Sequence, residues 1–162
     1  MEMGIIGRQA PELRASYWID ADGKERPELK LAELGEGYKV LFFFQHWCPG
    51  CHSLGFPVLK RLLNHFQDRG VGFAVIQTVF EGQDVNTSDK LALNQARHHL
   101  HIPFGHDVAS PGNSHPATIE EYRTGGTPWF VTIDPDNVVI DNGFTLDLDR
   151  FISLLKNAHP AT

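Results

Sequence analysis

Cysteine is scarce in this chain: two occur among 162 residues, Cys48 and Cys51, with two residues between them. A structural disulfide gains most by closing a long loop of the unfolded chain, so a bridge this short would add little to the fold. A zinc ribbon built on four cysteines would need a second pair, which is missing. Two readings stay open for the pair, half of some other metal site or a reversible thiol couple. Basic residues are also few. The 14 Lys and Arg against 20 Asp and Glu leave a net charge of −6, and they are scattered instead of forming a stripe that could neutralise phosphates. Nucleic acid is therefore not expected as a partner. No apolar run is long enough to span a bilayer, and the stretch from Met1 to Arg8 lacks the basic and long apolar regions of an export signal. The expectation is a soluble, cytoplasmic chain, or a periplasmic one if a signal has been removed. Charge is missing altogether between Val40 and Leu59, where no Lys, Arg, Asp or Glu occurs.

What is present is enough apolar side chain, 41 % of the residues, for one domain over 1–162 with a core that needs no extra cross-links. Tyr17-Trp18-Ile19 enters an Asp22-Gly23 turn, which predicts a small N-terminal hairpin. Leu29 to Leu34 suggests a helical turn ending near Gly35 or Gly37. The run from Tyr38 to Phe44 is continuously apolar apart from Lys39, the pattern of a strand buried on both faces. From Pro49 to about Arg69 the pattern turns helical, with Leu54, Val58, Leu62 and Phe66 on one face and Pro57 placed to kink it. Gly72 to Phe80 predicts a second strand and Ser88 to about Leu100 a second helix. Alternation of this kind argues for a parallel core. The segment from His101 to Pro116 is expected to be mostly surface loop, with one short strand candidate over Ile102 to His106. A helical piece over Ile119 to Arg123, a turn through Thr127-Pro128, a hairpin of Trp129 to Ile133 with Val138 to Ile140, and a last helix capped by Asp147 complete the chain.

A buried strand, Trp47-Cys48-Pro49-Gly50-Cys51 at a helix start, Thr127-Pro128 before a later strand, and a C-terminal hairpin followed by a helix occur in that order. This set resembles the thioredoxin superfamily. The N-terminal hairpin and the insertion ahead of Thr127-Pro128 resemble its TlpA-like and redoxin branch. The resemblance implies a thioredoxin-like α/β fold: a central mixed β-sheet flanked by helices, with a hairpin at the N-terminus and an insertion before the strand that follows a cis proline. It further implies dithiol–disulfide exchange by Cys48 and Cys51 with protein substrates and an unidentified electron donor or acceptor. The Pro49-Gly50 dipeptide matches neither thioredoxins nor the strongly oxidising members, so the direction does not carry over, and the reductase direction is a separate expectation. A monomer is expected, and no cofactor beyond the Cys48–Cys51 disulfide. Trp47, Thr127 and Pro128 would lie along the substrate. Trp47 and Trp129 are either an apolar rim or plain core aromatics.

The residues supply physical reasons for those roles. Cys48, just ahead of the first turn, would face unpaired N–H groups and the positive helix end, which favour a thiolate. That effect, roughly 0.3–1 kcal/mol and up to about 2, lowers a thiol from about 8.5 to roughly 7–8. Cys51, one turn on and more buried, would resolve the mixed disulfide. Thioredoxins hold a buried Asp six residues before the first cysteine, where this chain has Phe42. Glu81, His46 or His52 would have to accept the proton of Cys51 or tune the pair. The helix proline stands six residues after Cys51, at Pro57, one more than the family spacing.

Two alternatives belong to other classes. A thiol peroxidase of the redoxin kind would need a Thr or Ser and a Pro where Gln45 and Leu41 stand. A copper or zinc carrier would use Cys48, Cys51 and a flanking His. The remaining histidines support no metal site: His101 and His106 have finger-like spacing but begin about fifty residues beyond Cys51, against roughly 12–15 in zinc fingers. His98, His99, His101, His106 and His115 are expected on a helix surface and loops.

Overall fold

In the computed structural model, which describes residues 3–66 and 68–158, the six residues Lys39–Phe44 form strand β3, and all of them are buried. Side chains alternate across a strand. Val40, Phe42 and Phe44 therefore enter one apolar cluster with Phe56, Leu59 and Phe151. Leu41 and Phe43 enter another with Trp18, Tyr122 and Trp129 on the opposite face. A strand with a core on each side has no face left for water, which is why its sequence is an apolar run.

The other strands, in chain order, are β1 (Tyr17–Ile19), β2 (Glu25–Arg26), β4 (Gly72–Val79), β5 (Phe104–Val108), β6 (Trp129–Ile133) and β7 (Val139–Gly143). They form one seven-stranded mixed sheet in the order β2-β1-β5-β4-β3-β6-β7. β3 pairs in parallel with β4 and antiparallel with β6, so the Cys48–Cys51 segment leaves the sheet from an interior strand. The β1–β2 hairpin turns at Gly23, whose φ of +84° suits glycine. Asp20 Oδ1 accepts the N–H groups of Asp22 and Lys24 there, and these bonds hold its carboxyl below the usual range. The helices are α1 (Phe56–Phe66), α2 (Lys90–Arg97), α3 (Ala117–Tyr122) and α4 (Leu148–Ala158). Asp147 caps α4 as expected, its Oδ1 accepting from the Arg150 N–H at 3.2 Å.

Three expectations need correction. The segment from His101 to Pro116 is mostly loop, as expected, but its strand β5 lies two residues beyond the predicted Ile102 to His106, and it is no surface strand: it runs inside the sheet between β1 and β4. Gly105, His106 and Asp107 hide it by breaking the apolar pattern. Their burial is tolerated because His106 Nδ1 meets Gln77 Nε2 at 3.1 Å and Asp107 Oδ2 accepts the Thr118 N–H at 3.2 Å. The helix from Pro49 is not a uniform α-helix: Cys51–Gly55 is a π-turn, in which the Phe56 N–H reaches back to the Cys51 carbonyl. A π-turn holds one residue more than an α-turn, which absorbs the extra residue between Cys51 and Pro57. Pro57, second in α1, coincides with the change of register, where it has no N–H to misplace. The second helix spans Lys90–Arg97 and the third Ala117–Tyr122, each offset from the predicted ends.

Gly105 sits where the strand passes Trp18: a Cβ there would fall 2.7 Å from the indole ring. Gly105→Ala is expected to destabilise the protein by about 1–3 kcal/mol through overpacking, read as a lower urea midpoint. An unchanged midpoint would show that Trp18 yields without cost.

Candidate functional site

At the C-terminal end of β3 the chain must leave the sheet and enter a helix within a few residues, and buried side-chain amides make that turn. Gln77 Oε1 accepts the His46 N–H at 3.0 Å, and Asn86 Oδ1 accepts the Trp47 N–H at 3.1 Å. Gln45 Oε1 accepts the Phe80 N–H at 3.3 Å, and the Gln45 carbonyl accepts the Cys48 N–H at 3.0 Å. Gln45, Gln77, Asn86 and Asn94 are all buried. Buried main-chain donors need partners, so these amides specify the turn. None of the four is among the expected site residues. The one legible signal is Gln77, a lone amide in the otherwise apolar strand Val75-Ile76-Gln77-Thr78-Val79.

Cys48 and Cys51 are joined as a disulfide with Cα atoms 5.3 Å apart. Cys48 is half-buried and Cys51 fully buried, as expected for attacking and resolving positions. The Cys51 N–H points at Cys48 Sγ at 3.2 Å, a direct instance of a helix-start amide facing the outer sulfur. The Thr127 carbonyl oxygen lies 3.6 Å from Cys48 Sγ, and the Thr127–Pro128 bond is cis. Gly55 lets Phe42 and Pro128 close over the π-turn, since a Cβ there would meet the Phe42 ring at 2.7 Å and Pro128 at 2.9 Å. Phe42 itself packs on Phe56 and Phe130 at ring distances of 4.9 and 4.8 Å. An aromatic layer thus fills the place where the family has its acid.

Trp47 is 44 % exposed and lies over Gly82, whose φ is +60° and whose Cβ, if present, would fall 2.7 Å from the ring. Trp129, by contrast, is core at 2 % exposure, so it forms no rim. A groove of about 280 Å³ runs beside the disulfide between Gly50, Leu54, Val58, Pro128 and Phe144. Glu81 is exposed, and its tie to the site is its main-chain carbonyl, which accepts from Asn86 Nδ2 at 3.1 Å.

His46 and His52 flank the pair, and His98 joins them from the C-terminal end of α2. His52 Nε2 is 2.6 Å from the His46 carbonyl, and His52 Nδ1 is 2.9 Å from His98 Nε2. His46 Nδ1 receives Asn94 Nδ2–H at 3.1 Å. The His98 ring stacks on Phe56 at 3.9 Å, so it is no surface histidine, and neither is buried His106. Burial disfavours the cation in His46, His52, His98 and His106, and pushes His98 down to about 4. Among the described residues no group of three or more His, Cys, Asp or Glu is arranged to hold a metal ion.

Comparison with solved structures matches this architecture. A thioredoxin-like superfamily protein superposes with a TM-score of 0.79 at 26 % identity, over 93 % of this chain and 94 % of that one. The chain is a thioredoxin-like protein. A thiol-disulfide isomerase from Corynebacterium glutamicum is similar at a TM-score of 0.77 and 25 % identity, over 94 % and 98 % of the two chains. The thioredoxin domain of a thiol-disulfide oxidoreductase from Bacteroides vulgatus shares the fold at 0.64 and 19 % identity, over 95 % and 97 %. No protein-family model matches, and no curated protein does. In this thioredoxin-like setting the site brings together Cys48, Cys51, Trp47, Thr127, Pro128, His46 and His52, and of Glu81 it brings the main chain.

The histidines predict how stability follows pH. A native imidazole held below its ordinary value near 6.5 binds fewer protons than the unfolded one, so stability falls as pH drops from about 6.5 towards 4. Lowered carboxyls such as Asp20, Glu33 and Asp89 add their losses only at still lower pH, and Asp107, raised by burial, works in the opposite sense. Urea unfolding at about pH 7 and about pH 5 is expected to show a drop that shrinks in His98→Gln. An equal drop in both proteins would mean that folding does not hold the His98 imidazole below its ordinary value.

Proposed function

We propose that this chain is a thiol-disulfide oxidoreductase that exchanges the Cys48–Cys51 disulfide and dithiol with protein substrates, giving electrons to them. The observation that carries the reading is the Cys51 N–H aimed at the half-buried Cys48 Sγ, with Cys51 itself enclosed. The Cys48 thiolate attacks one sulfur of a substrate disulfide and expels the other as a thiolate, which takes a proton. Cys51 then loses its proton and attacks Cys48 Sγ, which releases the substrate's second thiolate. Two electrons pass from the cysteine pair to the substrate, and the Cys48–Cys51 bond closes.

What surrounds Cys48 supports this direction. An oxidant is made by stabilising the reduced form, and here the thiolate is served by main-chain amides without any charged side chain between Val40 and Leu59. Such a couple gains little on reduction and releases its electrons readily. The substrate lies across Trp47 and the Thr127-Pro128 turn in this reading, its extended backbone alongside Thr127. Glu81, whose main chain Asn86 ties to this turn while its carboxylate is exposed, is the candidate acceptor of the Cys51 proton.

Cys48→Ser is expected to abolish reduction of insulin disulfides, while Cys51→Ser accumulates mixed disulfides on Cys48 that are released slowly. Glu81→Gln in the same assay slows release and leaves Cys48 alkylation normal, whereas unchanged turnover removes Glu81 from the scheme. Alkylation of reduced protein near neutral pH that labelled Cys51 first would reverse the two cysteine roles.

A further inference from the structure

A carbonyl oxygen can only accept, so the ring nitrogen 2.6 Å from the His46 carbonyl, His52 Nε2, carries a hydrogen. Burial keeps both imidazoles neutral, which leaves His52 Nδ1 as a bare lone pair. The nitrogen facing it at 2.9 Å, His98 Nε2, is then the donor. For neutral rings a single pattern of hydrogens satisfies all three groups. It runs from α2, through His52 in the π-turn, to the main chain just before Cys48.

We infer that His98 is a positioning residue for the redox centre: its Nε2–H holds His52 as the donor that clamps the His46 carbonyl, and so fixes the turn presenting Cys48. The inference rests on the proposed dithiol–disulfide function and adds a residue 46 positions from His52 in the chain. His98 is built for holding. Its ring stacks on Phe56, at 3.9 Å and 10°, and lies nearly parallel to His52, at 5.1 Å and 14°, with the two imidazoles meeting at their nitrogens. The charged and titratable neighbours acting on it and on His46 are Arg97, His99, Lys90 and His52, none of them an anion. A hydrogen bond between neutral rings therefore does the work, with no ion pair behind it. The same wiring occupies both nitrogens of His52, which makes His52 a clamp and not the base for Cys51.

Two variants separate hydrogen bonding from packing. His98→Phe keeps a flat ring on Phe56 beside His52 but removes the donor. His98→Gln loses the ring and keeps an N–H that can reach His52 Nδ1. The readouts are iodoacetamide labelling of Cys48 in the reduced protein, and the equilibrium of the cysteine pair with glutathione at fixed pH. In His98→Phe the loosened turn no longer holds the Cys51 N–H on Cys48 Sγ. Labelling is expected to slow, and the equilibrium to move towards the disulfide, by about fivefold, the scale of one ordinary hydrogen bond. His98→Gln is expected to stay within about twofold of wild type, on the same scale. Wild-type behaviour in His98→Phe, or equal loss in both variants, would overturn the inference. If His98→Phe does not fold, the imidazole nitrogen resonances of wild-type His52 decide. A protonated Nε2 with Nδ1 accepting supports the clamp, and the other tautomer overturns it. A wild-type pair that never exchanges with glutathione would instead refute the oxidoreductase function, a distinct result.

Discussion

Everything near the disulfide depends on one constraint. A strand with a core on both faces must turn into a helix at its buried end, and the amides of that turn have no water to bond. Gln77, Asn86 and the Gln45 carbonyl take the N–H groups of His46, Trp47 and Cys48, and His52 reaches back to the His46 carbonyl. Buried main-chain groups left unpaired would each cost about 1–3 kcal/mol. The turn is therefore held by side chains from β4, from the loop after it and from α2. What the disulfide sees is a frame of dipoles, with no charged residue in the sequence from Val40 to Leu59.

That frame accounts for the departure from the family pattern at Phe42. With an aromatic layer of Phe42, Phe44, Phe56 and Phe130 beneath the disulfide, an acid there would lie buried among rings and lack a partner. The aromatic layer needs close approach, and Gly55 in the π-turn supplies it by leaving room for Phe42 and Pro128. The extra residue before Pro57, the π-turn, and the phenylalanine in place of an acid form one connected change in packing.

The strands β3, β4 and β6, the cysteine pair, the cis bond before Pro128 and the cap at Asp147 were legible because each has a local signature: an apolar run, a spacing, a dipeptide, a helix-starting acid. β5 was legible only in part, two residues out of place and without its buried position, because Gly105, His106 and Asp107 interrupt it and their partners, Gln77 and Thr118, lie elsewhere in the chain. The π-turn showed in the sequence only as the extra residue before Pro57, a spacing that marks a change of register without naming its kind. His98 looked like a surface histidine on a helix, and only its stacking on Phe56 and its meeting with His52 give it a role. The amide frame was illegible for the same cause. Asn86 and Asn94 pass for ordinary polar residues until the fold brings Trp47 and His46 to them.

The central claim is that Cys48 and Cys51 open and close as a two-electron couple at a potential set by a neutral frame. Its most direct test equilibrates the protein with graded mixtures of reduced and oxidised glutathione, quenches with an alkylating agent and counts labelled cysteines by mass. The account predicts a single two-thiol transition in the lower part of the range from about −270 to −120 mV. A disulfide that stays closed at every ratio, or one that opens near −120 mV, would contradict it.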